Sequence, residues 1–488
     1  MRKHLIAVFA PALLSACVVG PHYQGPPAAA PKAGAGGAFI RAGAIPLKAG
    51  PPVARWWETL DDPALNGLES RALAANPDLA AARARVAQAQ QSLRQERTNL
   101  LPTASASLLY AHARLPGVDF GSLTNGSNNG SINLYNLGFN GSWEADIFGG
   151  ERRAIEASQA TAEAAVANVA DAQVAITAAV AQAYLAIRDR QRRISLNAKV
   201  VAMEQQMLDL ARQRFAQGTA SRLDVERLTQ QLENTRAGAV PLSAEVSIYL
   251  DQIAVLIGAE PGAVDAELRT PAPVPLPPSE LAIGDPAALI QRRPDIRAAE
   301  RTLAADTAKI GQAEAARFPR VSVMGLIGIG GSKPEDITHV GDLLALAAPQ
   351  LSWSFLDFGK NASRVHQAEA LRDEAEARYR KTVLAALQDA EDSLSRFDAG
   401  RRSLASLIRL RTAALETATL SQQRYEAGTT TLLDLLDARR QANQADQNVS
   451  QAEAALTGYY IEIHKALGLG WSPASTGPAV AGDQPRTR

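Results

Sequence analysis

The chain of 488 residues has one cysteine, Cys17, so no internal disulfide can form and the role of that residue must be sought elsewhere. Aromatic residues make up only 5% of the chain. That is too little for large mixed cores and fits long, alanine-rich helices. Neither charge dominates: fifty basic and fifty acidic residues cancel. Without a basic surplus, no nucleic acid is expected as a partner. Histidine is scarce, and none of His4, His22, His112, His339, His366 and His464 falls in an HExxH or similar metal-ligand spacing. No GxSxG occurs, and the glycines from Gly325 to Gly331 lack the lysine of a phosphate-binding loop. No catalytic, metal or cofactor site is therefore expected, and an enzyme such as a periplasmic hydrolase is the weaker reading. Beyond the N-terminus no segment reads as the roughly 18 to 20 apolar residues of a membrane helix. A membrane crossing would then fall to strands in a closed barrel.

What is present begins at the N-terminus. Arg2 and Lys3 precede an apolar stretch, Leu5–Leu14, too short to span a bilayer. Leu14-Ser15-Ala16-Cys17 follows. This resembles the bacterial lipobox, in which the cysteine is diacylated, the leader is cut before it and the new terminus is acylated. The resemblance implies a signal peptide over 1–16 and a covalent lipid on Cys17 as the only non-protein group. Val18, rather than Asp, implies sorting to the outer membrane. An ordinary signal peptide with an incidental cysteine is the plainer alternative. Residues 17–60 read as the anchor and an extended strap, rich in Pro, Gly and Ala over 25–52.

The rest of the chain reads as one unit written twice. Asn76-Pro77-Asp78 matches Arg293-Pro294-Asp295, and Pro102 matches Pro319, both at 294 − 77 = 217. Trp143 and Trp353, Phe148-Gly149 and Phe358-Gly359, and Gly218-Thr219 and Gly428-Thr429 match at an offset of 353 − 143 = 210. The copies span 61–260 and 285–468. A Pro-rich linker, 261–284, joins them, stiffest over Thr270–Pro278. Residues 469–488 read as a disordered tail.

Each copy has the same internal order. A helix starts at Pro77 or Pro294 and a proline ends it, Pro102 or Pro319. Two strands follow, Thr103–Ala113 and Ser131–Ala145, or Val321–Gly331 and Leu343–Phe355, with imperfect alternation. A very long helix then runs over Glu151–Ala216 or Asn361–Ala427 until Gly218 or Gly428 stops it. A return helix covers Ser221–Ile257 or Thr431–Leu467. At about 1.5 Å per residue the long helix spans roughly 100 Å and the return helix about 55 Å. A long cytoplasmic coiled coil would leave the strands and the Cys17 motif without a purpose.

Four strands cannot close a barrel, since known membrane barrels need at least eight. Open edges in lipid cost several kcal/mol per unpaired group. Three chains would give twelve strands with pseudo-sixfold symmetry. The fold class expected is thus a mixed α/β membrane protein, a trimeric channel-tunnel with a twelve-stranded β-barrel continued by an α-helical barrel. Trp143 and Trp353, at the strand-to-helix junctions, read as membrane-interface aromatics or as caps on a local core.

Taken together, Cys17-Val18-Val19-Gly20-Pro21-His22-Tyr23, Trp56-Trp57, the two Pro-Asp helix starts, Ala427-Gly428-Thr429 and Leu433-Asp434-Leu435-Leu436-Asp437 carry a resemblance over nearly the whole mature chain. The chain resembles the TolC-like outer-membrane efflux proteins, in the lipoprotein branch of OprM and NodT-type factors. The resemblance implies a homotrimer in outer-membrane lipid, reaching into the periplasm. It also implies a periplasmic adaptor (membrane fusion protein) and an inner-membrane pump of the resistance-nodulation-division (RND) type as partners. The function it implies is a passive exit duct for efflux. A type I secretion duct and a non-conducting periplasmic lipoprotein are the alternatives.

By the same resemblance, the second turn between long and return helix lines a constriction. Arg424, Tyr425, Leu433 and Asp437 take positions of closing contacts. Asp434 and Asp437 take those of a ring of acids, and Asp224 that of an acid linked to the tyrosine. Thr430 stands where TolC has an arginine, which leaves Arg424 as the cation, with Asp224 and Asp209 as candidate acids. Three copies of Asp434 and Asp437 around one axis would raise some carboxyl pKa values. Read from the residues alone, Thr431-x-x-Asp434 and Ser221-x-x-Asp224 have capping-box form, so Asp434 and Asp224 can simply hold helix starts. Asp437, one turn further on, has no such local role in the sequence.

Overall fold

A computed structural model of the chain describes residues 18–31, 38–43, 45–46, 53–114, 131–338 and 343–472. The signal peptide, Cys17, His339, the Gly121–Gly130 stretch and all but the first residues of the tail lie outside them. In chain order the elements are α1 (Pro63–Ala75), α2 (Pro77–Thr98), β1 (Thr103–Arg114), β2 (Ser131–Ala145), α3 (Gly150–Ala216) and α4 (Arg222–Leu256). Then come α5 (Pro286–Arg292), α6 (Pro294–Ala315), β3 (Arg320–Gly331), β4 (Leu343–Ser352), α7 (Lys360–Glu426) and α8 (Leu432–Ala466). Three helix pairs agree in length residue for residue: α3 and α7 have 67 residues each, α4 and α8 have 35, and α2 and α6 have 22.

Three expectations need correction. Each copy opens with a short helix, α1 or α5, ahead of the one expected helix before the strands, and Asp62-Pro63 and Asp285-Pro286 mark their starts. Asp62 accepts from the N–H groups of Ala64 and Leu65, and Asp285 from that of Ala288, with proline at the first helical position. Strand β4 ends at Ser352 rather than Phe355. Finally, α3 and α4 each contain an 18-residue window long and apolar enough to cross a bilayer by length and composition. In α3 alanine supplies much of that apolarity, whereas in α4 Val, Leu and Ile supply it, spread among polar residues.

The described residues fall into two compact units. The first draws on residues 1–27, 85–165 and 299–379 and holds one antiparallel sheet in the order β1-β2-β3-β4. Its register explains the imperfect alternation. Leu108 pairs with Leu137, Phe139 with Ile327, and Val321 with Leu351, so these apolar residues share one face. Leu108, Phe139 and Leu351 are 71%, 67% and 68% exposed. The opposite face carries Ser105, Ser107, Asn136, Asn140, Ser142 and Glu144 among leucines. Trp143 and Trp353 make the same bond, each indole N–H donating at 3.0 Å to a backbone carbonyl, of Leu100 and of Arg317 respectively. Both rings stay exposed.

In the same unit the segment after Cys17 is bound. The Val19 N–H donates to Phe148 O at 3.2 Å. The buried Arg153 donates to the carbonyls of Val19 (3.1 Å) and Gly20 (3.0 Å) and pairs with Glu156 at 2.7 Å. Gly20 has φ +88°, and a Cβ there would sit 2.3 Å from Gly311 Cα, so only glycine fits.

The second unit, from residues 28–84, 166–298 and 380–488, contains the core around Trp56, Trp57, Tyr460 and His464. Trp56 stacks on His464 with centroids 5.2 Å apart. The Pro-rich linker is packed here. The Thr270 carbonyl accepts from Arg188 (2.8 Å) and the Pro275 carbonyl from Thr457 (2.7 Å).

The paired helix turns as a candidate gate

Both turns lie in the second unit, and the repeated Arg-aromatic-x-x-Gly-Thr motif builds each in the same way. The N–H of Thr219 donates to Arg214 O and that of Gly218 to Phe215 O. Thr429 and Gly428 do the same to Arg424 O and Tyr425 O. The threonine hydroxyls add a second bond of 3.0 Å to the arginine carbonyls. This is the helix-ending pattern that satisfies the last carbonyls, with Gly218 and Gly428 both at φ +72°. Ser221 and Thr431 then cap the next helix in reciprocal capping boxes with Asp224 and Asp434.

The side chains differ. Asp434 accepts a further hydroxyl, from Thr430 at 2.9 Å. The Thr431 and Thr430 hydroxyls hold its carboxyl below the usual range, with Arg424 adding a smaller pull. Asp437 accepts from Arg440 (2.7 Å) and Gln441 (2.6 Å) on its own helix, and these hold its pKa down as well. Asp437 thus has the local role that its sequence position did not reveal. Within one protomer both acids move opposite to the rise expected from crowding in a ring. Leu433 is 45% exposed.

A polar link joins the two turns. Arg214 donates to the Tyr425 hydroxyl, and its guanidinium lies 5.3 Å from the centre of that ring. Tyr425, Arg214 and Asp224 border a cavity of about 380 Å³ with Leu210, Leu432 and Arg439. Beneath it Leu208, Ala211, Leu228 and Leu232 form a small core, against which Leu432 and Leu436 pack.

The family model described as outer membrane efflux protein matches residues 68–259 and again 286–469. The chain belongs to this family of efflux proteins. It is similar to nodulation protein T of Rhizobium leguminosarum bv. trifolii, 29% identical over 465 residues that cover 95% of this chain and 96% of the relative. Outer membrane protein OprJ of Pseudomonas aeruginosa is 29% identical over 479 residues, 96% and 97% of the two chains. Among solved structures, the outer-membrane channel OprN aligns with a TM-score of 0.86 at 33% identity, over 94% of this chain and all of that one. This efflux protein is thus an outer-membrane protein of the TolC and OprM type, and efflux, not chemical conversion, is the activity of its family.

Of the residues read from the sequence of this efflux protein, Tyr425, Asp224, Leu433, Asp434 and Asp437 all border the paired turns. Arg424 is exposed and, among the described residues, has no acid within ion-pair distance. Asp224 is engaged by Ser221, and Asp209 by Gln205 and Arg212. The tyrosine is held by Arg214, which the sequence reading had not named. Its signal is its place as the first residue of the first copy of the motif.

Proposed function

We propose that three copies of this efflux protein form the exit duct of a tripartite pump. Their twelve strands close one barrel in the outer membrane, and their helices form a periplasmic barrel that narrows at the paired turns. The duct conducts passively, fed by a periplasmic adaptor and an inner-membrane RND-type pump. The observation that carries this is the sheet. Its edge strands β1 and β4 each have a partner on one side only, and its apolar face is open. In lipid such edges need neighbours, and threefold closure supplies them. The duplicated halves give the helical wall its pseudo-sixfold character. Tyr425, Arg424, Leu433, Asp434, Asp437 and Asp224 serve the constriction, with Arg214 added. Trp143 and Trp353, tied to the chain by their N–H groups, sit at the membrane interface. The bound segment Val18–Tyr23 supports a lipid on Cys17 immediately before it.

One experiment tests the assembly and the anchor together. Native mass spectrometry of the purified protein should find three chains, each starting at an acylated Cys17. A conducting monomer would overturn the trimer, and an unmodified terminus elsewhere would overturn the lipid.

A further inference from the structure

Near the turns a buried acid and a bridging arginine are mismatched. Arg439, on α8, donates from Nη1 to the Met207 sulfur at 3.2 Å and from Nη2 to Gln422 Oε1 at 2.6 Å. A thioether is a weak acceptor, and among the described residues no carboxylate lies within ion-pair distance of this guanidinium. Glu204 sits on α3 three residues before Met207, one turn away on the same face. It is 6% exposed. Its Oε1 accepts from Gln231 at 3.1 Å, while its Oε2 is buried without a partner among the described residues. Glu204, Met207 and Arg439 line one cavity of about 290 Å³.

Leaving a buried carboxylate oxygen unmade is costly, and a charge-assisted bond to arginine is the strong alternative. We infer that Arg439 has two seats: Met207 and Gln422 in the state seen here, and the Glu204 carboxylate in a second state reached as the turns open. A slide of α8 along α3 by about three residues, roughly 4.5 Å, carries the guanidinium from the sulfur to the acid. The second seat favours opening, and the Arg214–Tyr425 link opposes it. The inference rests on the proposal that the turns are the gate.

Two substitutions should act in opposite directions. Met207→Leu keeps the volume and takes the sulfur from the first seat, leaving Gln422, so the open population in planar-bilayer recordings should rise roughly twofold, the low end for one hydrogen bond. Glu204→Gln keeps the Gln231 contact and removes the second seat's charge, so the open population should fall at least threefold. Changes of the same sign, or none in either, overturn the inference; a water held by Glu204 alone would give that last result. A second measurement reads the approach directly. With Cys17 the only native cysteine, Glu204→Cys with Arg439→Cys should cross-link several-fold faster once Arg214→Ser and Tyr425→Phe have opened the turn. Equal cross-linking rates overturn the two-seat arrangement. If those opening substitutions still raise conductance, the gate stands without it; if they do not, both readings fall.

Discussion

At the first turn Arg214, Phe215, Ala220 and Arg227 stand where the second turn has Arg424, Tyr425, Thr430 and Asp437. The backbones are nonetheless alike, to the same φ of +72° at Gly218 and Gly428. The glycine, the threonine and the capping pair fix the turn, and other positions are free to diverge. The divergence makes the link one-sided. Arg214 reaches a hydroxyl on Tyr425, whereas Phe215, at the matching position of the first turn, has none to offer. The other ends of the return helices repeat the lesson. Leu250 and Ala254 of α4 correspond, at the same offset of 210, to Tyr460 and His464 of α8. Only the second pair builds the aromatic box with Trp56. Duplication copies a backbone, and a few later exchanges give each copy its task.

The strongest way to break this comparison is to make the helix ends alike. Burial pushes the His464 pKa from 6.5 to about 4. The folded protein therefore resists a proton that the unfolded chain accepts. Stability should be full above about pH 6.5 and fall as pH drops towards 4, by about 3 kcal/mol per chain at roughly 1.4 kcal/mol per unit. His464→Ala, copying Ala254, should remove that slope even where it lowers stability at neutral pH. Thermal unfolding followed from pH 7 to pH 4 reads the difference, and an unchanged slope would place the acid sensitivity elsewhere.

The next test removes the one-sided link. A cation–π contact of this kind at an exposed site contributes about 0.5–1 kcal/mol. In the proposed trimer three copies would give about 1.5–3 kcal/mol, a roughly ten- to 150-fold shift of the gate. Arg214→Ser with Tyr425→Phe should raise bilayer conductance and admit large solutes, and Arg424→Ser alone should do much less. Should Arg424→Ser have the larger effect, the link that matters is formed between protomers.

The smallest effect concerns the acids. Asp434→Ala with Asp437→Ala should weaken cation selectivity and block by multivalent cations, while Asp224→Ala leaves both unchanged. Local bonds depress both carboxyl pKa values. The charges should thus persist below the usual carboxylate value of 3.8, and selectivity should fade only as pH drops through the depressed pKa values. Reversal potentials measured down to pH 3 decide this. Selectivity fading above 3.8 would mean that crowding around the axis outweighs the local bonds.

The sequence by itself determined the helices, their stops and their caps. Those depend on interactions within a turn or two, such as Thr429 on Arg424 or Asp434 on Thr431, and the residue types state them directly. It also determined the strand pairs and, through the matching motifs, the family. Helices α1 and α5 are legible in Asp62-Pro63 and Asp285-Pro286, though their shortness hides any periodic pattern. Tertiary structure decided the rest. Only the sheet register sorted Leu108, Phe139 and Leu351 from Ser107 and Asn140, because alternation alone does not say which face is which. Only packing brought Arg214 to Tyr425, 211 residues apart, and set Arg439 beside Met207 with Glu204 unpaired. Such contacts depend on how helices distant in sequence pack, which no local pattern encodes.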